Sequence, residues 1–312
     1  MEIYRPEGEI VNVKSVTLIT GAGGFLGHHL ACALAKQGQK VRGADRHRPR
    51  FASSPVQEWL ELDLRDSDSC RQAVQGVEEI FHLAADTGGI GFVANQDATT
   101  TAANVAMTEA LLRAAIAAGV KRFLFASSVN VLSDHATHAP TAEYVKEKLH
   151  GEALCQANRS QIGIRIARLH NVYGPLDRYE GRKAKPLMVF ARKIAQSGPE
   201  AEIEIWGSGN QSRVFIYVKD CVEGLLRLMK ADRERPLNLG TDDDMTLNDL
   251  VDCLAKISGK RITRKHVPGK PEGVIARHTR DLPDIQSALG WAPQIRFREG
   301  LIETYNWVRA QQ

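Results

Sequence analysis

The stretch Thr20-Gly21-Ala22-Gly23-Gly24-Phe25-Leu26-Gly27 constrains this chain more than any other. It follows an apolar β-type run, Val16 to Thr20, and opens an amphipathic segment, Phe25 to Lys36. A glycine-rich turn between a strand and a helix is built to receive a pyrophosphate. Gly21 permits the tight turn, Gly24 lets the backbone approach the phosphates, and Gly27 allows close helix packing. Phe25 and Leu26 open the helix, whose positive dipole end faces the anion. Asp45 lies 18 residues past Gly27, after a second strand signal, Lys40 to Ala44. A carboxylate there accepts hydrogen bonds from ribose hydroxyls and repels a 2′-phosphate, which favours NAD over NADP. The neighbouring Arg46 weakens that exclusion. Asp63, after a third strand signal, either reaches the adenine amino group or caps its own strand end.

The rest of the first half keeps one rhythm. Strand signals at Glu58 to Leu62, Glu79 to Ala84, Lys121 to Ala126 and Gly163 to Ala167 alternate with helical ones. The helical segments run from Asp66 to Gln75, Thr99 to Ala118 and Glu143 to Gln156. This alternation predicts an α/β fold: a Rossmann-type, doubly wound parallel sheet covered on both faces. Residues 15–170 are the expected NAD-binding domain, preceded by a polar leader over 1–14. From residue 171 the rhythm breaks and Gly, Pro and charge rise. Residues 171–312 are expected to be mainly a smaller substrate-binding part, with some segments returning to the sheet.

Composition narrows the function. The chain has 312 residues, 43% hydrophobic and 25% charged, with 41 basic against 37 acidic side chains. Such a balance does not mark a nucleic-acid binder. No run of about 18 apolar residues is present, so no membrane span is expected. The five cysteines are scattered without metal spacing and read as reduced thiols. With no apolar signal run at the N-terminus, a cytoplasmic protein is expected, and no metal site.

Tyr144 and Lys148 form a YxxxK pair on a predicted helix, and side chains four apart share a face. Lys148 makes the phenol a better base and can hold the nicotinamide ribose, so Tyr144 can take a hydroxyl proton. Ser127-Ser128 ends an upstream strand, where Ser128 can hydrogen-bond the same hydroxyl. Glycine-rich turn, serine and YxxxK in this order resemble the extended short-chain dehydrogenase/reductases, the family of nucleotide-sugar epimerases and dehydratases. The resemblance spans roughly residues 15–310. It implies a bound NAD, with Leu83 and Ala84 among its contacts, and oxidation of a sugar hydroxyl, usually at C4.

Several stretches are similar to the GDP-mannose 3,5-epimerase branch of that family. They are His82-Leu83-Ala84-Ala85-Asp86, Gly88-Gly89-Ile90-Gly91-Phe92, His170-Asn171-Val172-Tyr173-Gly174-Pro175, Trp206-Gly207-Ser208-Gly209, Gln211-Ser212-Arg213 and Pro271-Glu272-Gly273-Val274. The resemblance implies that Gly89, Ile90 and Gly91 lie beside the sugar. It also implies that Asn171, Lys193, Arg213 and Arg277 contact the nucleotide diphosphate, a task that suits the arginine fork. Taken singly, each of these cations reads equally well as a surface charge. A homodimer through the helices at 99–118 and 143–156 is expected, although their apolar faces also suit an internal core.

The chain departs from that branch at one decisive place. The branch uses a cysteine and a lysine as an acid/base pair on opposite faces of a 4-keto sugar. Lys185 falls at the lysine position, but the cysteine position holds Asn130. Asparagine exchanges no proton near neutral pH. Leu132 replaces a tyrosine usual in the wider family, and Val129-Asn130 stands where dehydratases carry an Asp-Glu pair. His135 and His138 are substitute bases or ordinary exposed histidines. The expected reaction is therefore C4 inversion of a manno-configured nucleotide-diphosphate hexose or heptose. The alternative is GDP-mannose 3,5-epimerisation with Lys185, and a non-catalytic NAD-binding sensor is a more distant third.

Overall fold

The computed structural model describes residues 2–4, 10–12, 15–132, 141–269 and 281–312. The motif stretch Pro271 to Val274, and Arg277, His135 and His138, lie outside the described residues. In the leader, β1 (Glu2–Tyr4) and β2 (Ile10–Asn12) pair antiparallel.

The cofactor half alternates as its sequence does. Its elements are β3 (Val16–Thr20), α1 (Phe25–Lys36), β4 (Lys40–Asp45), β5 (Glu58–Glu61), α2 (Ser67–Ala73), β6 (Val77–His82), the short α3 (Ile90–Val93), α4 (Ala98–Ala117), β7 (Arg122–Ser128), a 3-10 turn (Val129–Leu132), α5 (Ala142–Ala157) and β8 (Gly163–Leu169). Asp66 and Asp97 start α2 and α4 by accepting the backbone amides of Ser69 and Thr100, as good N-caps do. The seven-stranded parallel sheet has the order β12-β8-β7-β6-β3-β4-β5, where β12 is Leu237–Leu239. The order reverses between β3 and β6, and ligands of such sheets bind outside the carboxyl ends at that point.

The remaining elements are β9 (Asn171–Tyr173), α6 (Pro186–Gln196), β10 (Glu200–Trp206), β11 (Ser212–Tyr217), α7 (Val218–Lys230), β13 (Asp244–Thr246), α8 (Leu247–Ser258), β14 (Arg261–Val267), α9 (Leu282–Leu289) and α10 (Phe297–Ala310). β11 joins β9 in parallel and β13 antiparallel, while β10 and β14 form a separate parallel pair. β12 pairs with β8, so the chain re-enters the main sheet after residue 230. Two cores result. One lies under α2 and α4, with Leu18, Ile80, Leu111 and Phe123. The other joins α1 and α7 to α6, α8 and α10, with Leu30, Leu124, Ile194, Leu250 and Tyr305. Among the described residues, no helix is long and apolar enough to cross a membrane.

Candidate active site

A cleft of about 830 Å³ opens above the carboxyl ends of β3, β4, β6, β7 and β8 and continues between the two parts of the chain. Its cofactor end is shaped by glycines. Gly21 has φ +72°, and a Cβ there would sit 2.9 Å from Ala84 N and Leu83 C at the end of β6. A Cβ on Gly27 would lie 2.2 Å from Gly21 O. Gly24 is the N-cap of α1, and no side chain caps that helix. Its first-turn amides therefore face the cleft, as an anion site requires. Gly21, Gly24, Phe25, Leu26, Gly27, Leu83 and Ala84 all line the cleft.

Asp45 ends β4 and also lines it. Its Oδ2 accepts from Gly23 N at 2.9 Å and its Oδ1 from His47 N at 3.2 Å. Gly23 carries no role in the spacing of the turn, yet a Cβ there would lie 1.9 Å from His47 O. Asp63 lines the same end, and the Arg65 guanidinium beside it holds its carboxyl at about 2, well below the usual range. These residues fit NAD: a side-chain-free cradle, an uncapped helix start and a carboxylate beside it.

The chemical end is carried by β7 and α5. Gly151 brings α5 down on β7, since a Cβ there would sit 2.3 Å from Phe125 Cζ. Tyr144 and Lys148 both line the cleft, and Lys148 Nζ is 5.6 Å from the Tyr144 ring centroid. Lys148 is 6% exposed. Burial works against its charge, but Glu147, 3.1 Å from Nζ, and Tyr144 raise its proton affinity, and the net shift is upward. Ser127 donates to Glu152 Oε1 at 2.6 Å, in a buried network with Arg168, whereas Ser128 Oγ accepts from Asn130 N at 3.2 Å. Asn130 lines the cleft on the 3-10 turn.

The end of the cleft where the sugar is expected is set by a loop contact. Gly89 N donates to Lys183 O at 3.0 Å, and a Cβ on Gly89 would lie 2.5 Å from Ala184 O. That contact seats the segment carrying Lys185, whose Nζ donates to Val172 O at 2.7 Å and to Asp177 Oδ2 at 3.0 Å. Asp177 follows Leu176, which has φ +70°, a backbone conformation uncommon outside glycine. Lys183 pairs with Asp86. Gly89, Ile90, Asn171, Lys185 and Arg213 line the cleft, and Asn171 Nδ2 donates to Val214 O at 3.0 Å.

Two residues expected at the substrate lie off this cleft. Gly91 does not line the cleft: its place in α3 turns it toward Trp206, 3.7 Å from where its Cβ would be. Lys193 is exposed on α6 and is absent from the cleft, because Leu187, Met188, Phe190, Ala191 and Ile194 hold the opposite face in the core. Asp86, Asp177, Lys183 and Glu147 were missed. Each gains its role from a partner distant in sequence or from burial, which spacing does not reveal.

Residues 17–240 match the NAD dependent epimerase/dehydratase family. The chain belongs to that family. A GDP-mannose 3,5-epimerase from Arabidopsis thaliana is 36% identical over 312 residues, 94% of this chain and 82% of that protein. A UDP-glucose 4-epimerase from Thermotoga maritima, solved with UDP-glucose, superposes with TM-score 0.85 at 25% identity, covering 95% of this chain and 99% of the other. MoeE5, solved with UDP-glucuronic acid and NAD, gives TM-score 0.81 at 27% identity over 96% of this chain and 100% of its own. As a member of the NAD dependent epimerase/dehydratase family, this chain is an enzyme of the nucleotide-sugar type with NAD as its cofactor.

Proposed function

We propose that this chain inverts C4 of a manno-configured nucleotide-diphosphate hexose or heptose. The observation that carries the reading is the absence of a thiol at the sugar. Asn130 occupies the position where the resemblance calls for cysteine, and none of the five cysteines lines the cleft. Burial also pushes the thiols of Cys155 and Cys221 up to about 12 and that of Cys70 up to about 11, so none of these is poised to move a proton.

C4 inversion needs only what remains. NAD, when bound, supplies a hydride acceptor and then a donor. The glycine cradle and Asp45 would hold its pyrophosphate and ribose, and Lys148 its nicotinamide ribose. Tyr144 takes the C4 hydroxyl proton and returns it after the sugar has turned its other face. Ser128 hydrogen-bonds the same oxygen. Arg213 and Asn171 suit the diphosphate end. Losing one general acid–base group costs about 10²–10⁴-fold, so a chain lacking the thiol is poorly equipped for C3 or C5 exchange.

The second reading, GDP-mannose 3,5-epimerisation, is favoured by Lys185, held in the cleft beside Asp177. Proton NMR of the sugar nucleotide in heavy water separates the two. C4 inversion without deuterium supports our reading, and Tyr144→Phe then abolishes it while NAD stays bound. Deuterium at C3 or C5 overturns it in favour of the second. We also propose a homodimer through the outer faces of α4 and α5, where Leu149 is an exposed large apolar side chain. A monomer in sedimentation would refute that.

A further inference from the structure

Beneath the Tyr144–Lys148 pair lies a carboxylate with no assigned role. Glu147 is 4% exposed, and its Oε1 is 3.1 Å from Lys148 Nζ. Its Oε2 accepts from Gln96 Nε2 at 2.7 Å and from Asn104 Nδ2 at 2.8 Å. Consecutive helix residues do not share a face. Lys148 lines the cleft while Glu147 reaches Asn104 on α4, and the two meet only at their tips. A buried charge is tolerated when it is paired and hydrogen-bonded, and this carboxylate has one cation and two amide donors. Asn104 extends the network: its Oδ1 accepts from Asp86 N at 2.9 Å and its Nδ2 reaches Asp86 O at 3.1 Å. The sugar-side residue Asp86 is thereby tied to the catalytic helix.

We propose that Glu147 is a positioning residue: it holds the Lys148 ammonium charged and in place for Tyr144 and for the NAD ribose, and Gln96 and Asn104 fix Glu147 in turn. The inference rests on the reading of Tyr144 and Lys148 as the catalytic pair. Among the described residues, the groups facing Lys148 are few. Glu147 and Tyr144 share its helix. His82 on β6 is buried and neutral, its proton affinity lowered to about 3 by burial and by Lys148 itself. Phe125 on β7 places its ring 5.5 Å from Nζ, and Asn104 on α4 is uncharged. Burial works to strip the Lys148 proton, and among the described residues Glu147 is the largest opposing charge that keeps it there. A glutamine of the same shape removes that charge, so Lys148 loses its proton at lower pH.

The test uses Glu147→Gln and Glu147→Asp, purified with NAD. The first readout is NAD retention from about pH 7 to about pH 12, a range that spans the raised wild-type limb, by rapid filtration, and needs no sugar. The glutamine variant is expected to begin releasing NAD at least about one pH unit below the wild type. With a sugar nucleotide that the wild type turns over, kcat falls about tenfold or more while KM stays within about twofold, and aspartate restores part of the loss. Should the glutamine variant not fold, Gln96→Leu unlatches the carboxylate and is expected to give a smaller shift in the same direction. A folded Glu147→Gln with wild-type retention and wild-type kcat overturns the inference. Inertness of the wild type toward every nucleotide sugar, with the retention limb still shifted in the variant, overturns the functional reading and supports the positioning role.

Discussion

His82 is a histidine whose tautomer can be deduced from its neighbours. The Thr108 hydroxyl donates to Asn104 O at 3.0 Å, so it must accept from His82 Nε2, 3.0 Å away. Nδ1 then accepts from Thr20 Oγ1 at 2.8 Å. Both ring nitrogens are committed with the ring neutral, and burial beside Lys148 lowers its proton affinity to about 3. The sign follows from linkage. Between the unfolded value near 6.5 and about 3, the unfolded chain binds a proton that the folded chain does not. Stability therefore falls as pH drops through that window, by up to about 1.4 kcal/mol per pH unit, and levels off below it. Denaturant titrations between about pH 4 and about pH 7 should show a steeper loss for the wild type than for His82→Asn. Equal slopes would mean that the ring protonates in place. Residues such as Gly21, Gly27, Asp45, Tyr144 and Lys148 were legible because their spacing within one or two elements carries the chemistry. Glu147 and His82 were not, since their roles arise from α4, which meets them only in the folded chain.

Elements show the same division. The bounds of α1 were read to the residue, Phe25–Lys36. Glycines precede and nearly follow it, and in the second half Thr246 and Gly259 cap α8, with a capping box at its start. β9 and β12, three residues each, are too short to display a period, and β14 is largely exposed, so its sequence lacks an apolar alternation. The resemblance implies that the Gly88–Gly89 loop lies beside the sugar, but its mechanical duty is visible only against the segment from Lys183 to Lys185. A Cβ on Gly88 would stand 2.9 Å from Lys183 Cα, and one on Gly89 would stand 3.0 Å from Lys185 Cα. Gly89→Ala should push that segment outward and displace Lys185 from Val172 O and Asp177. An error of about 1 Å in a positioned group can cost about 10²-fold, and overpacking costs about 1–3 kcal/mol. We expect kcat/KM to fall at least about tenfold with a lowered melting temperature. Unchanged kinetics and melting would show that the loop yields and that the contact does not set the lysine.

Across the whole molecule, the two parts are fused behind the cleft and joined again at its mouth. Behind it, one continuous core runs from α1 through α7 to α6, α8 and α10, which opposes free hinging. At the mouth, the segment after β4 crosses to the C-terminal part. Phe51 stacks on Tyr179 at 5.4 Å and meets the Trp307 ring edge-on at 5.3 Å, while Arg50 pairs with Glu180. Arg50 and Phe51 line the cleft at the end shaped by the glycines, so a cofactor held in that cradle would lie beneath this contact. An enzyme that takes a hydride and returns it to the same sugar gains from a cofactor that does not leave between the two steps. Magnitudes decide which half of the clasp matters. Each aromatic pair contributes about 0.5–1.5 kcal/mol beyond its buried area, whereas an exposed ion pair such as Arg50–Glu180, 55% and 42% exposed, contributes about 0–1 kcal/mol and is screened by salt. Phe51→Ala should therefore speed exchange of bound for labelled NAD about tenfold. Glu180→Gln should speed it about twofold at low salt and not at all at high salt. Loss of both aromatic pairs should also lower the melting temperature by a few degrees. Exchange at the wild-type rate in Phe51→Ala would mean that the glycine cradle alone retains the cofactor and that the aromatic contact only shapes the surface.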